Sequence, residues 1–189
     1  KKYFNGAELI ICVDGGAAHM KGLGVSPHIL LGDFDSISEE DFRRIKSSGA
    51  EVCQFPVEKD MTDSELAVDI AVERGATEVV FIGCMGARMD HTLANIFLLK
   101  KLLDRGINAV LIDEYNEIRL IKDYISLDRE EGMKISLLPF TARAVGVSTQ
   151  GLYYPLSEAT LEVGGARGVS NEFSSGSADR KSTRLNSSH

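Results

Sequence analysis

Closely spaced acidic residues after apolar runs give the first indication of chemistry in this sequence. Asp33 and Asp35 stand one residue apart just after a short apolar run, and Asp60 and Asp63 follow the next run, Val52 to Phe55. Short apolar runs of this kind are typical of buried strands, and open α/β sheets bind ligands at the carboxyl ends of their strands. Neighbouring carboxylates repel one another unless a cation compensates. The spacing therefore predicts four carboxylates on one rim, holding a hard cation for phosphate chemistry.

A second candidate on the same rim is Asp14-Gly15-Gly16, which follows the apolar run Leu9 to Val13. Paired glycines between a strand and a helix let the backbone and the helix N–H groups approach a ligand closely. The same three residues also make an ordinary tight turn. Their place beside the acidic pairs favours the ligand-binding interpretation.

Arg88, Asp90 and His91 form a third candidate, after the predicted strand Val79 to Ile82. An arginine can contact phosphate through two nitrogens at once. A histidine at a helix start is often only structural, but its two charged neighbours favour a role toward a ligand. The helix that follows is predicted to turn four apolar residues inward: Leu93, Ile96, Phe97 and Leu103.

The elements that position these residues alternate between strand and helix as far as the strand Ala109 to Ile112. This alternation predicts a Rossmann-like α/β domain with a mainly parallel sheet, over residues 1–114. Thr62 or Asp63 is expected to cap the helix that ends near Gly75, so Asp63 has a purely structural alternative role.

The second half has a different pattern. Short strand candidates separated by turns predict a small antiparallel all-β domain over residues 115–173. Its polar cluster, Ser170-Asn171-Glu172, reads from residue types alone as either a turn or a binding site. Residues 174–189 are Ser-rich and basic, which predicts a disordered or foreign tail.

Composition narrows the classes of partner. The net charge of −7 argues against nucleic acid, and no apolar run is long enough for a membrane span. The three cysteines lie far apart without metal-ligand spacing, which predicts free thiols in a cytoplasmic protein.

Taken together, the motifs resemble those of the bacterial thiamine pyrophosphokinases. The resemblance extends over about residues 7 to 173, in five blocks: Asp14-Gly15-Gly16, Gly32-Asp33-Phe34-Asp35-Ser36, Lys59-Asp60-x-Thr62-Asp63-x-Glu65, Gly86-x-Arg88-x-Asp90-His91-Thr92-x-Ala94-Asn95 and Ser170-Asn171-Glu172-Phe173. It implies an α/β domain followed by a β-sandwich. It also implies a homodimer that binds thiamine between the two kinds of domain at the subunit interface.

The implied reaction transfers pyrophosphate from ATP to the hydroxyl of thiamine and releases AMP. We expect Mg²⁺ on Asp33, Asp35 and Asp63, because this ion favours a few carboxylates together with phosphate oxygens. The expected catalytic residues are Asp35, Asp60, Asp63 and Asp90. The expected ATP-binding residues are Asp14, Gly15, Lys59, Arg88 and His91.

The remaining expected roles are accepting the hydroxyl proton and binding thiamine. Asp60, Asp90 and His91 are alternatives for orienting ATP or accepting the hydroxyl proton. For thiamine we expect Ser170 and Asn171, with Thr62 from the first domain.

The sequence departs from the family pattern at both ends and in having no tryptophan. An additional first strand and one or two last strands are expected in the family, so both ends read as incomplete. Some animal members offer thiamine a tryptophan as stacking partner, and here that partner is expected to be another residue or to be absent. Two alternatives stay open. Asp-x-Asp after a strand also begins the site of haloacid-dehalogenase-like phosphatases, and a nucleotide or thiamine sensor without activity would use the same scaffold.

Overall fold

The protein divides into two units, Lys1–Arg119 and Leu120–His189. The computed structural model describes residues 3–56, 60–129 and 132–174, together with the backbone of 185–188. The division lies after the position predicted from sequence, between 114 and 115. The difference comes from Glu117–Arg119, which pairs with a strand of the first unit instead of joining the second.

In its described residues, the first unit contains two three-stranded sheets, formed mainly by parallel pairing. The strands are β1 (Ile11–Val13), β2 (Ile29–Gly32), β3 (Glu51–Gln54), β4 (Glu78–Ile82), β5 (Asn108–Ile112) and β6 (Glu117–Arg119). One sheet has the order β1-β2-β3 and the other β4-β5-β6, and among these described strands only β6 runs antiparallel to its neighbour. The predicted alternation with parallel pairing is confirmed. The pairs found among the described residues form two sheets, so the Rossmann-like arrangement stays a prediction.

In the part of the chain that the structure describes, four α-helices connect these strands: α1 (Ala17–Leu23), α2 (Glu39–Ser47), α3 (Asp63–Glu73) and α4 (Met89–Leu103). Side-chain caps mark where two of them, α2 and α3, begin. Ser38 caps α2 by accepting a hydrogen bond from the Asp41 N–H at 3.1 Å, and acidic residues fill the first turn of that helix. β2 is buried along its whole length, as a strand covered on both faces must be.

The buried face of α4 differs from the predicted one. Leu93 is 46% exposed and Phe97 is 59% exposed, so placing these two residues in the core was wrong. The buried side of the helix includes Thr92 and Asn95, followed by three leucines: Leu98, Leu99 and Leu102. A prediction based on apolar periodicity could not select a face whose first turns are polar.

The second unit is rich in short strands, as predicted. It contains β7 (Lys134–Ile135), β8 (Arg143–Thr149), β9 (Ala159–Glu162), β10 (Asn171–Glu172) and β11 (Leu185–Ser188). The pairs β7–β10, β8–β9 and β8–β11 are all antiparallel. Val147, Leu156, Ala159 and Leu161 form its apolar cluster.

The tail differs at four residues from the predicted disorder. Leu185–Ser188 is a strand hydrogen-bonded to β8, and its backbone pairing needs no apolar side chains. Ser174 is also described, and its N–H donates to the Gly151 carbonyl at 2.9 Å. Residues 175–184 and 189 lie outside the described residues.

The three cysteines agree with the prediction of free thiols. Cys12, Cys53 and Cys84 are free thiols, and burial raises the pKa of Cys12 and of Cys84 to about 11. Throughout the described part of the chain, none of the helices combines the length and the apolar character needed to cross a bilayer.

Candidate functional site

The ends of β1 and β2 place Asp14 against Gly32. The two strands pair in parallel, with Val13 opposite Leu31, so the residues that follow them lie side by side. A Cβ atom at Gly32 would lie 1.6 Å from Oδ1 of Asp14, closer than any two atoms without a bond can come. Gly32 also has φ +149°, which L side chains rarely adopt. Glycine is therefore required at position 32 for the Asp14 carboxyl to lie where it does.

The environment of the Asp14 carboxyl shifts its pKa clearly from the ordinary value. It accepts a hydrogen bond from the Phe34 N–H at 3.3 Å and shares another with the Asp63 side chain. Burial, and then the nearby Asp63 carboxyl, raises the pKa of Asp14 to about 6 from the ordinary 3.8. Asp14 and Asp63, 49 positions apart in the sequence, therefore meet as a pair of neighbouring carboxyls.

Asp33 and Asp35 form a second carboxyl pair beside the first. The Asp35 N–H donates to Oδ1 of Asp33 at 3.0 Å, which folds the residues after β2 into a tight turn. The negative charge of Asp33, with a smaller effect from Asp63, raises the pKa of Asp35. Phe34, between them, has φ +69°. Asp63 thus interacts with both pairs, and the four carboxyls lie in one electrostatic neighbourhood.

This group has the composition of a hard-cation site but is not a complete cage. In the described ranges, no three His, Cys, Asp or Glu side chains are placed so that they could hold a metal ion by themselves. Mg²⁺ usually takes only one or two carboxylates from a protein and completes its shell with water and substrate phosphates. All four donors are oxygens, and the mutual repulsion that raises two of their pKa values would fall if a cation bound. The donor set fits Mg²⁺ on those terms.

The start of α3 explains two further predicted residues. Oγ1 of Thr62 accepts the Glu65 N–H at 3.2 Å, so Thr62 is the cap and Asp63 the first helical residue. Glu65, although part of the motif, bonds to Lys101 of α4 at 3.0 Å. Asp60 and Thr62 are exposed, and Lys59 lies outside the described residues.

The loop between β4 and α4 carries the cationic group. The guanidinium of Arg88 contacts both carboxylate oxygens of Asp90, at 2.6 and 3.3 Å. This ion pair raises the pKa of Arg88 and lowers that of Asp90. Both side chains are exposed, as is His91 in the first turn of the helix. The pair therefore lies at the surface, with its charges already balanced.

In the second unit, one of the predicted thiamine-binding residues, Asn171, lines a cavity, and Ser170 precedes it in the sequence. Ser170 is exposed with φ +58°, and its N–H donates to Oγ of Ser136 at 3.1 Å. Asn171 is 3% exposed and lines a cavity of about 260 Å³ together with Tyr154 and Arg167.

The amide of Asn171 is engaged by the backbone nearby. Oδ1 accepts the N–H groups of Tyr154 and Glu172 at 3.0 and 2.9 Å, and Nδ2 donates to the Tyr154 carbonyl at 2.6 Å. The Tyr154 ring packs edge-on against that of Tyr153, with ring centres 4.8 Å apart. Asn171 thus shapes the cavity wall.

Sequence reasoning missed the partnership of Asp14 with Asp63 and the reason for Gly32. The motifs assign Asp14 to the nucleotide and mark Gly32 only as the end of a strand. A glycine inside an otherwise apolar strand end was the available signal, because glycine there often marks a close approach of another group.

Two models of protein families match consecutive parts of the chain. The model described as "Thiamin pyrophosphokinase, catalytic domain" matches residues 1–111, and "Thiamin pyrophosphokinase, vitamin B1 binding domain" matches residues 122–180. The two matches fall on the two structural units.

Individual relatives agree with these matches. A thiamine pyrophosphokinase of Bacillus subtilis is 34% identical over 168 residues, which is 87% of this chain and 78% of the relative. A crystal structure of the enzyme of that name from Bacillus subtilis superposes with a TM-score of 0.84 at 31% identity, covering 94% of this chain and 81% of that one. One from Geobacillus thermodenitrificans gives 0.82 at 27% identity, covering 99% and 85%.

Proposed function

The chain belongs to the thiamine pyrophosphokinase family, and we propose that it works as an enzyme of that kind by transferring an intact pyrophosphoryl group from ATP to thiamine. The hydroxyl oxygen of thiamine forms a bond to the β-phosphorus, and the bond from that phosphorus to the α-phosphate oxygen breaks. The hydroxyl proton passes to a base, and AMP leaves. The observation that carries this proposal is the meeting of Asp14, Asp33, Asp35 and Asp63 in the unit that matches the catalytic-domain model.

We assign Mg²⁺ to Asp33, Asp35 and Asp63. Bound there, the ion would neutralise charge on the transferred phosphates. The protein's own contribution is to hold the carboxylates at strand and helix ends before the substrate arrives. Asp14 supports this arrangement through its hydrogen bonds to Phe34 and Asp63, and with Gly15 it forms the edge that faces the nucleotide.

Arg88 supplies a cation for the polyphosphate, with Lys59 as its partner. In the structure Arg88 is paired with Asp90, so a phosphate must compete with that carboxylate for the guanidinium. Because both side chains are exposed, water screens their attraction and the exchange requires little free energy. Asp90 holds Arg88 in place before ATP binds.

Of the three candidates for accepting the hydroxyl proton of thiamine, Asp90 is the least suitable. Arg88 lowers the pKa of Asp90, which makes this carboxylate a weaker base. Asp90 is thus better suited to orienting Arg88 and ATP. Asp60 and His91 remain the candidates for accepting the hydroxyl proton.

For thiamine, we propose contacts from Ser170 and Thr62, with Asn171 shaping the wall of the cavity. The support is that Ser170 and Thr62 are exposed, whereas the amide of Asn171 is engaged with Tyr154 and Glu172. We also propose a Rossmann-like first domain, a β-sandwich second domain, a homodimer with the site at its interface and a cytoplasmic location. These follow from family membership.

The test is an assay of products with ATP, thiamine and MgCl₂. Chromatography should show AMP and thiamine diphosphate appearing in equal amounts, with no inorganic phosphate. Phosphate release through a trapped aspartyl-phosphate would instead support the phosphatase alternative. Calorimetric binding of ATP and thiamine without any product would support the sensor.

A further inference from the structure

We propose that Thr92 and Asn95 are positioning residues, which hold the loop of residues 83–88 in the shape that presents Arg88 to the polyphosphate. This inference rests on the proposed function, since it assumes that Arg88 contacts ATP. It goes beyond that function by assigning a task to two residues that contact neither substrate nor metal in the proposed mechanism.

The first observation is burial of polar side chains in an apolar setting. Thr92 is 8% exposed and Asn95 7% exposed, on the same side of α4 as Leu99 and Leu102. Residues three apart lie on one face of a helix. Buried polar groups are unfavourable unless they make hydrogen bonds, so a specific set of partners is expected for both.

Those partners are backbone groups at alternate positions of one loop. Nδ2 of Asn95 donates to the Cys84 carbonyl at 2.8 Å. Oγ1 of Thr92 accepts the Gly86 N–H at 3.3 Å and donates to the Arg88 carbonyl at 3.2 Å. Two side chains of α4 thus fix the loop at three points.

The loop needs this support because it has no regular structure of its own. Residues 83–88 lie between the end of β4 and the start of α4, and they include Gly83, with φ +71°, and Gly86. Glycines lose more conformational freedom on ordering than other residues do. Arg88, at the end of the loop, is exposed, so the position of its backbone limits where its guanidinium can reach.

Substitutions at position 92 separate positioning from simple stability. Thr92→Val keeps the shape but removes both hydrogen bonds, whereas Thr92→Ser keeps the hydroxyl. Leu102→Val is the matched control, because it weakens the buried face of the same helix away from the loop. The probe is α,β-methylene-ATP with Mg²⁺, measured by calorimetry, since it cannot be cleaved at the bond that the reaction breaks.

We expect Thr92→Val and Asn95→Asp to weaken binding of the analogue about tenfold, and Thr92→Ser and Leu102→Val to change it less than twofold. We also expect hydrogen exchange at the Gly86 amide to accelerate at least tenfold in Thr92→Val and not in Thr92→Ser. If all four variants weaken binding in proportion to their loss of melting temperature, the effect is only structural and the proposal is wrong.

An Arg88→Met background gives the decisive comparison. If Thr92 acts through Arg88, the effect of Thr92→Val on binding should fall below twofold there. An equal effect in both backgrounds overturns the proposal, as does a wild-type affinity that does not depend on Arg88. Arg88-dependent binding without AMP formation would refute the proposed reaction and leave the positioning role standing.

Discussion

Two regions of the first unit handle charge in opposite ways. After β1 and β2, carboxyls lie against carboxyls, and burial and repulsion raise the pKa of Asp14 and repulsion that of Asp35. Between β4 and α4, Arg88 and Asp90 balance each other, and the pKa of the carboxyl falls. The first arrangement is stabilised by adding a cation. In the proposed mechanism, the second arrangement holds the guanidinium of Arg88 in place until a polyphosphate displaces Asp90. A complex of Mg²⁺ with polyphosphate would suit both arrangements.

The largest effect is expected from Asp35→Asn. We expect turnover to fall by about 10²- to 10³-fold while the melting temperature stays the same or rises slightly, because the exposed carboxylate repels Asp33 and contributes little to folding. AMP release at saturating Mg²⁺ measures this. Asp104→Asn is the control, since Asp104 is also exposed and pairs only with neighbours on α4 in the described contacts. Near-normal turnover in Asp35→Asn would contradict the metal assignment.

The second largest effect is expected from Arg88→Met. Loss of the guanidinium should lower kcat/KM for ATP by about 100-fold, and Arg88→Lys should recover part of it. The exposed Arg43 of α2 offers a control, Arg43→Met, which should leave this ratio unchanged. Equal kcat/KM values for Arg88→Met and wild type would show that the β4–α4 loop does not meet the polyphosphate.

A smaller effect is expected from Gly32→Ala, which forces the Asp14 carboxyl to move. We expect a loss of about 2 kcal/mol in the free energy of unfolding, measured in urea. Gly24→Ala separates the causes, because Gly24 also has a positive φ, +66°, but has no atom within 4 Å of the added Cβ. That control should lose about 1 kcal/mol. If adding Asp14→Ala does not relieve the Gly32→Ala defect, the contact with Asp14 is not its cause.

The smallest effect concerns pH. Because the pKa of Asp14 is raised in the folded protein, its contribution to stability is present below about pH 4 and is lost as pH rises through about 6. Asp14→Asn should therefore gain stability relative to wild type between pH 4 and 7, by about 1 kcal/mol after allowance for screening by water. Urea unfolding with EDTA present measures the difference. A constant difference across this range would show that the pKa of Asp14 is not raised in the folded protein.

Chain order and motif spacing were enough to predict much of this molecule. The end of the apolar run before Gly32 marked Asp33 and Asp35 as candidates, and motif spacing marked Asp63, which begins α3. The alternation of elements predicted the parallel strands of the first unit. Both predictions depend on residue patterns within short segments, which do not require knowledge of contacts between distant residues. The five motif blocks also indicated the family, because each block keeps its residue types and spacing within one short segment.

What the sequence did not predict depends on contacts between distant residues. The pairing of Asp14 with Asp63 arises because β1, β2 and α3 pack together, and no local pattern encodes it. The buried face of α4 was mistaken because Thr92 and Asn95 are polar and find partners in a loop. The hydrogen bonds between Asn171 and Tyr154 could not be predicted either, because the two residues lie 17 positions apart in the sequence.

The most direct test of the central claim is a titration with Mn²⁺, followed by electron paramagnetic resonance, in the presence of α,β-methylene-ATP. Mn²⁺ replaces Mg²⁺ at oxygen-ligand sites. If these carboxylates hold the cation, the double variant Asp33→Asn/Asp35→Asn should bind Mn²⁺ at least tenfold more weakly than the wild type. Asp104→Asn should bind Mn²⁺ as tightly as the wild type does. Equal Mn²⁺ affinity in all three proteins would contradict the claim that these carboxylates form the cation site.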